Sequence, residues 1–298
     1  MLTLTWRDEL PADPATDPAD GEGAVRELLL AARAHDGRPE VEETGPLPRE
    51  FRGGRHLLAR DDAGTLVGYA HLDTAGDALG NQIVELVVHP RRRRAGVGGS
   101  LVAEVLSVEH PLRIWSHGDH PAAVRLAARF GLARVRELHR MRLGPTGELP
   151  APVLPDQTTV RTFEPGRDEE AVVAVNARAF DWHPEQGQLT VEELVATERE
   201  SWFDPAGFLL AERAGRIVGF HWTKIHPDGV GEVYVVGVDP DAQGGGLGRA
   251  LTLVGLHHLR QVGADEIILY VESDNLPAVT VYSRLGFFVE ATDVAYQH

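Results

Sequence analysis

Val233-Tyr234-Val235-Val236-Gly237-Val238-Asp239-Pro240, followed two residues later by Gln243-Gly244-Gly245-Gly246-Leu247-Gly248-Arg249, is the stretch that decides the fold. The first run is almost wholly apolar and β-branched, as expected of a central strand covered on both faces. Its proline ends the strand, the glycines turn the chain, and a helix is expected from about 247 to 262. Such a turn leaves several backbone N–H groups free at the positive end of a helix dipole. That is an anion site of a kind a pyrophosphate fits. No Gly-Lys-Ser/Thr follows, so it is not a Walker loop. The Asp-Pro entry, with no acidic ribose ligand about 20 residues on, also sets it apart from a dinucleotide fingerprint.

The same order of elements occurs earlier in the chain. Leu57-Leu58-Ala59-Arg60 and Leu66-Val67-Gly68-Tyr69 match Phe208-Leu209-Leu210-Ala211 and Ile217-Val218-Gly219-Phe220. Ile83 to Pro90 matches Val233 to Pro240, Arg93 to Gly98 matches Gln243 to Gly248, and Ala123 to Leu132 matches Ala278 to Phe287. The chain is a duplicated domain rather than a short-period solenoid. Each half reads as helix, hairpin, strand, helix, strand, helix, with Ala63-Gly64 and Ala214-Gly215 as hairpin turns. A last short helix, Asn275 to Arg284, closes on Leu285-Gly286-Phe287, with glycine where a helix end wants a left-handed residue. The proline-rich stretch Gly144 to Pro155 suits an extended linker. The expected organisation is a first domain over 1–143, a linker over 144–158 and a second domain over 159–298.

Composition narrows the partners. The 298 residues are 43% hydrophobic and 25% charged, enough for two ordinary domains each with its own core. There is no cysteine, which excludes disulfides, thiolate metal sites and a cysteine nucleophile. The formal net charge of −16 disfavours nucleic acid and anionic membrane, both of which need a basic face. Neither an apolar run long enough to span a bilayer nor a basic-then-apolar leader is found, so a soluble cytoplasmic protein is expected; a monomer is expected as well. The 14 histidines, His257-His258 included, show no ligand spacing, and no metal is expected. Arg91 to Arg94 leads into the first glycine turn, which explains that basic run better than a localisation patch does.

The pattern Gln/Arg-x-x-Gly-x-Gly after a valine-rich strand, with Asn275-x-x-Ala278-x-x-x-Tyr282-x-x-x-Gly286-Phe287 further on, resembles the GCN5-related N-acetyltransferases. The resemblance implies an α/β fold with a mixed sheet, two such domains in tandem, and acetyl-CoA as co-substrate. It implies acetyl-CoA contacts from Val236, Gly237 and Val238 on the strand. The turn would add Gln243, Gly244, Gly245, Gly246, Leu247, Gly248 and Arg249, and the later helix Asn275, Leu276, Pro277, Ala278, Val279 and Thr280. The matching first-half positions are Leu86, Val87, Val88, Arg93, Arg94, Ala95, Gly96, Val97, Gly98 and Gly99.

A narrower similarity rests on Phe180 to Gly187, Gly219 to Lys224, Gly231 to Pro240 and Leu269 to Asn275. These stretches resemble a tandem branch of that family, which acetylates the cysteinyl amine of a cysteine joined to glucosaminyl-inositol. That likeness implies a small thiol pseudodisaccharide as second substrate, held by Glu185, Lys224, Glu232 and Tyr270, with Glu43 and Asp36 from the first half. Two readings stay open beside it: another acetyltransferase of the same fold, acting on a different small-molecule or protein amine, and a non-catalytic acetyl-CoA-binding module.

The chemistry needs a base and an acid. An α-amino group has a pKa of about 7.7 to 8, so a weak base suffices, and Glu232 can take the proton directly or through water. The departing thiolate has a conjugate pKa near about 8.5, so a well-placed tyrosine can protonate it, and Tyr282 is the candidate. In the first half alanine stands at 127 in place of Tyr282, and Gln82 is expected in place of Glu232. That half is therefore expected to bind acetyl-CoA or shape the cleft without catalysing transfer.

Overall fold

The computed structural model describes residues 2–11, 21–39, 41–77, 79–108, 110–145, 148–181 and 186–298. In chain order the elements are β1 (Thr3–Arg7), α1 (Glu22–Asp36), β2 (Arg55–Arg60), β3 (Leu66–Asp73), β4 (Gln82–Val88), α2 (Val97–Val105), β5 (Leu112–Ser116), α3 (Pro121–Phe130) and β6 (Ala133–Leu143). They continue with β7 (Thr158–Thr162), α4 (Glu169–Ala179), α5 (Val191–Thr197), β8 (Phe208–Arg213), β9 (Arg216–Ile225), β10 (Gly231–Val238), α6 (Leu247–Gln261), β11 (Ile267–Glu272), α7 (Leu276–Arg284) and β12 (Phe288–Gln297).

The chain forms two compact units, one of Met1–Glu137 with Thr292–His298, the other of Leu138–Ala291. In unit 1 the sheet runs β1-β2-β3-β4-β5-β12, and in unit 2 it runs β7-β8-β9-β10-β11-β6. The order is the same in both, antiparallel except for the central parallel pairs β4–β5 and β10–β11. The sixth strand of each sheet comes from the other half of the sequence: Val294 lies opposite Ser116 in unit 1, and Leu143 opposite Ile267 in unit 2. Among the described residues, those between β6 and β7 form no helix or strand.

The hydrophobic pattern places each element. In unit 1, β3 is buried along almost its whole length, as a strand packed on both faces must be. One face meets Val97, Leu101 and Val102 of α2, the other Val25, Leu28 and Leu29 of α1. In unit 2, α6 turns Leu253, Leu256 and Leu259 onto Val233 and Leu269, and the opposite face packs Val172 and Val175 of α4 with Phe208, Phe220 and Trp222. The tight hairpin between β8 and β9 places Arg213 opposite Arg216 and turns through Ala214 and Gly215, both at positive φ. Gly286, at φ 97°, closes α7 with the N–H of Phe287 on the Tyr282 carbonyl at 3.1 Å.

Candidate active site

The central parallel strands part company early. β10 pairs with β11 only through Gly231, Glu232 and Val233, opposite Ile267, Ile268 and Leu269. Beyond that point Val235 to Val238 pair with β9 alone, so among the described residues no strand meets their backbone groups on the β11 side. The ladder slips between Val233 and Val235, a β-bulge at Tyr234. Its effect is to turn Tyr234 and Val235 in succession to the α4 side, before Val236 returns to the α6 side. An open strand edge of this kind can pair with the amide groups of an extended arm such as pantetheine.

The strand leads into the anion turn. Gly246 sits at φ 83° as the N-cap of α6, a conformation that favours glycine, and a Cβ there would meet nothing within 4 Å. The first return bond of the helix is Ala250 N–H to the Gly246 carbonyl at 3.0 Å, so the N–H groups of Leu247, Gly248 and Arg249 have no carbonyl within the helix. Gln243 braces the turn by donating to the Val238 carbonyl at 3.1 Å. Asn275 caps α7 by accepting from Ala278 N–H at 3.3 Å, which starts that helix at Leu276 and Pro277. Free donors, a positive helix end and open space fit a pyrophosphate.

Glu232 stands where the strands begin to part. Its neighbours Gly231 and Val233 face α6, since a Cβ on Gly231 would touch Leu259 and Ala264, so Glu232 points to the opposite face. It is 7% exposed, and its Oε2 lies 2.7 Å from Nε2 of the buried His226. Lys224 is its cross-strand partner on β9, and Tyr270 stands two residues beyond Ile268, its partner on β11, so all three share one face. The Lys224 ammonium lies 4.9 Å from the Trp202 ring and 5.8 Å from the Tyr234 ring, where the π faces favour a cation. Tyr282 belongs to the α6 side, packed, like Val236, against the core that contains Val233, and edge-on to Phe287. Burial pushes its hydroxyl up to about 12, so it holds its proton at neutral pH.

Glu232, Lys224, Tyr270 and Tyr282 are candidates read from the sequence, whereas His226 and Trp202 are added by the structure. His226 is brought to Glu232 by the turn between β9 and β10, and Trp202 to Lys224 by the segment after α5. Glu185 lies outside the described residues. Glu43 is exposed in unit 1, and Asp36 ends α1, where both its oxygens take hydrogen bonds from Arg93 of the first glycine turn. The Arg93 hydrogen bonds hold the Asp36 carboxyl below its usual range.

Unit 1 repeats the scaffold. Gly96 caps α2 at φ 88°, and Arg93 donates from Nε to the Val88 carbonyl at 3.2 Å, as Gln243 does to Val238. β4 leaves β5 after Val84, so among the described residues the backbone of Glu85 to Val88, including Leu86 and Val87, pairs with no strand on the β5 side. The strand pairings correct one expectation. Leu112 corresponds to Ile267, and the residues opposite them are Gln82 and Gly231, so Ile83, not Gln82, takes the place of Glu232. The slip of one residue is the bulge at Tyr234, which β4 lacks. Ala127, in place of Tyr282, is buried against Val294 and Tyr296.

Comparison with known proteins agrees with this geometry. The profile of the acetyltransferase (GNAT) family matches residues 24–132 and 176–287. A mycothiol acetyltransferase of Saccharomonospora viridis is 60% identical, with 99% of both chains covered. Another from Amycolatopsis mediterranei is 54% identical over 98% of this chain and 97% of its own. Among solved structures, a GCN5-related N-acetyltransferase from Sphaerobacter thermophilus superposes with a TM-score of 0.74 at 25% identity, covering 99% of this chain and 95% of its own. A tandem GNAT protein from the clavulanic acid pathway shares the fold at a TM-score of 0.69 and 18% identity, covering 100% of this chain and 98% of its own. The chain belongs to the acetyltransferase (GNAT) family, as an acetyl-CoA-dependent enzyme in the branch formed by the mycothiol acetyltransferases.

Proposed function

We propose that this protein transfers the acetyl group of acetyl-CoA to the cysteinyl amine of desacetylmycothiol, the cysteine conjugate of glucosaminyl-inositol, and that unit 2 performs the transfer. The supporting observation is the parting of β10 and β11, with a carboxylate on one face and a protonated tyrosine on the other. The thioester lies along the open edge of Val236 to Val238, with the CoA pyrophosphate on the turn from Gln243 to Arg249. Glu232 takes a proton from the substrate ammonium, directly or through water. The neutral nitrogen attacks the thioester carbonyl carbon, the carbon–sulfur bond breaks, and the new amide nitrogen gives up its second proton to solvent. Tyr282 gives its proton to the CoA thiolate and regains one from solvent, while the proton on Glu232 is released.

The face carrying Lys224, Glu232 and Tyr270 offers a cation, a carboxylate and a phenol to a polyhydroxylated substrate, the directional groups such a ligand needs. Unit 1 has the anion turn without the acid or the base, and we assign it a binding or shaping role. The protein is taken to work as a cytoplasmic monomer without nucleic-acid or membrane partners. Among the described residues no helix is long and apolar enough to cross a membrane.

Thiol release from acetyl-CoA, measured across an amine panel, tests the reading. Turnover is expected with Cys-GlcN-inositol and is expected to be far slower with polyamines, aminoglycosides and peptide N-termini. Equal or faster turnover of any of those overturns the substrate assignment.

A further inference from the structure

Glu232 is not an isolated carboxylate. Its side chain is 9% exposed and that of His226 10% exposed, and the two meet at 2.7 Å through Oε2 and Nε2. The turn that carries His226 is closed by two backbone hydrogen bonds, His226 N–H to the Val230 carbonyl at 2.9 Å and Gly229 N–H to the His226 carbonyl at 2.8 Å. Gly229 takes φ 84° to allow this. The imidazole is thus fixed by backbone geometry against one oxygen of the carboxylate, which leaves the other oxygen to the substrate.

We infer that Glu232 and His226 work as a single proton-accepting pair, with His226 as the positioning residue that orients the carboxylate and shares the proton it takes from the amine. The inference rests on the reading of Glu232 as the base. In the working state the pair carries one negative charge, with an ionised carboxylate and a neutral imidazole. When the amine gives up its proton the pair becomes neutral, the proton lying between Oε2 and Nε2, and it is later passed to solvent. No other reactant is needed. Two groups coupled this closely bind that proton with an affinity that belongs to the pair rather than to either residue.

Other charged groups lie on this face or on the elements packed against it. Lys224 lies opposite Glu232 on β9 with its ammonium over Trp202 and Tyr234. Tyr270 follows on β11. On β6, Arg142 and Arg140 stand opposite Ile268 and Tyr270 and pair with Glu290, and Arg142 also pairs with Glu266. From α4, Glu169 accepts from Gly166 N–H, and Arg178 grips Asp239 and Asp241. Asp228, in the turn itself, caps Val230 N–H at 3.2 Å. Among the described residues His226 is the partner whose hydrogen bond reaches the Glu232 carboxylate.

The test is the pH profile of kcat at saturating amine and acetyl-CoA for the full chain, its H226Q and H226N variants, and E232Q. Loss of the base in E232Q should lower kcat by about 10² to 10⁴. The His226 variants should lower it less, by roughly ten- to a hundredfold. They should also move the acid limb to lower pH, because the first proton must then be held by the carboxyl alone. The KM for acetyl-CoA and the thermal midpoint serve as controls, and either His226 variant that folds decides the matter. A folded His226 variant with unchanged kcat and an unmoved or raised acid limb overturns the pair while leaving Glu232 as base. If E232Q turns over as fast as the parent, the assignment of the base itself fails, and the pair with it.

Discussion

At the point where β10 leaves β11, unit 2 has Glu232 on β10 followed by the bulge at Tyr234; at the point where β4 leaves β5, unit 1 has Ile83 and, directly after the last strand pair, Glu85. Glu85 Oε2 lies 3.0 Å from Nε2 of His117, just past β5, and His117 Nδ1 lies 3.0 Å from Asp293 on β12. Asp293 also accepts the Gly118 N–H at 2.8 Å. Unit 1 thus joins β4, β5 and β12 with a carboxylate–imidazole–carboxylate bridge at the place where unit 2 keeps the strands apart. Burial alone would drive the His117 proton off, but the two carboxylates outweigh it and raise its pKa to about 10. An imidazole with both nitrogens donating and its charge held so firmly is a brace and not a base. On the proposed mechanism, one fold uses the same parting of strands for chemistry in one copy and for a fixed ionic joint in the other.

The largest expected effect tests whether the chemistry is confined to unit 2. Gly246→Val forces a β-branched residue into φ 83° at the turn before α6 and should reduce turnover by a factor of about 10² or more, because close approach of the pyrophosphate is lost. Gly96→Val imposes the same backbone strain at φ 88° in unit 1, and transfer should persist. Circular dichroism confirms folding in both. A folded Gly96→Val protein without turnover, beside an active Gly246→Val protein, places the chemistry in unit 1 instead.

Next comes the proton donor. Tyr282→Phe should lower kcat by about 10² or more with little change in the KM for acetyl-CoA. Because burial holds the hydroxyl up to about 12, the parent enzyme should show no alkaline loss from this group below about pH 11. Turnover of the variant equal to the parent across pH 7 to 9 removes Tyr282 from the mechanism.

Much of this was legible in the sequence, because the repeated motifs are local. The valine-rich strand, the glycine turn and the helix ending at Gly286 each announce themselves within about ten residues. The sixth strands did not, since β6 and β12 carry alternating charged residues such as Arg140, Arg142 and Asp293, whose partners are distant in sequence. The bulge was hidden as well. A single inserted residue shifts the register by one without altering the apolar character of the run, so the gap-free match of the halves paired Gln82 with Glu232. His226 was illegible for a different reason: six residues from Glu232, it is joined to it only by the turn between β9 and β10.

The ionic joint in unit 1 makes the third expectation. His117→Asn leaves Glu85 and Asp293 facing each other without a cation. Breaking a buried pair costs about 3–5 kcal/mol, and the lower end applies because His117 itself is 33% exposed. The pH dependence has a definite sign. His117 is raised in the folded state, so its contribution is complete below the unfolded value of about 6.5 and is lost as pH rises through about 10. Burial works to raise Asp293, but the hydrogen bond and charge of His117 together with the Gly118 N–H outweigh it, so the carboxyl is lowered and its share is lost on the acid side. Trp115 lies parallel to His117 with ring centroids 6.5 Å apart, so urea unfolding followed by tryptophan fluorescence at pH 6, 8 and 10 reports the joint. A parent protein as stable in unit 1 at pH 10 as at pH 6 contradicts it.

The smallest expected effect concerns the two anion turns themselves. Arg94 stands at φ 64°, and its counterpart in unit 2, Gly244, stands at φ 85°. A residue with a Cβ loses about 1 kcal/mol or more in this left-handed region, whereas glycine loses none but brings about 0.5–1 kcal/mol of extra chain entropy to the unfolded state. The two terms nearly cancel for Arg94→Gly, so the unfolding free energy of unit 1 should change by less than about 1 kcal/mol, towards greater stability. Gly244→Ala reverses both terms with no clash added, since a Cβ at 244 would meet nothing within 4 Å, and should destabilise by a similar amount. The charge term is separate: Arg94→Gly removes a cation beside the first turn and should weaken acetyl-CoA binding there more at low salt than at high salt. Isothermal titration at two ionic strengths, with unit 2 silenced by Gly246→Val, measures it. Salt-independent binding at that turn excludes Arg94 from the anion contact and leaves the backbone N–H groups of α2 to hold the pyrophosphate alone.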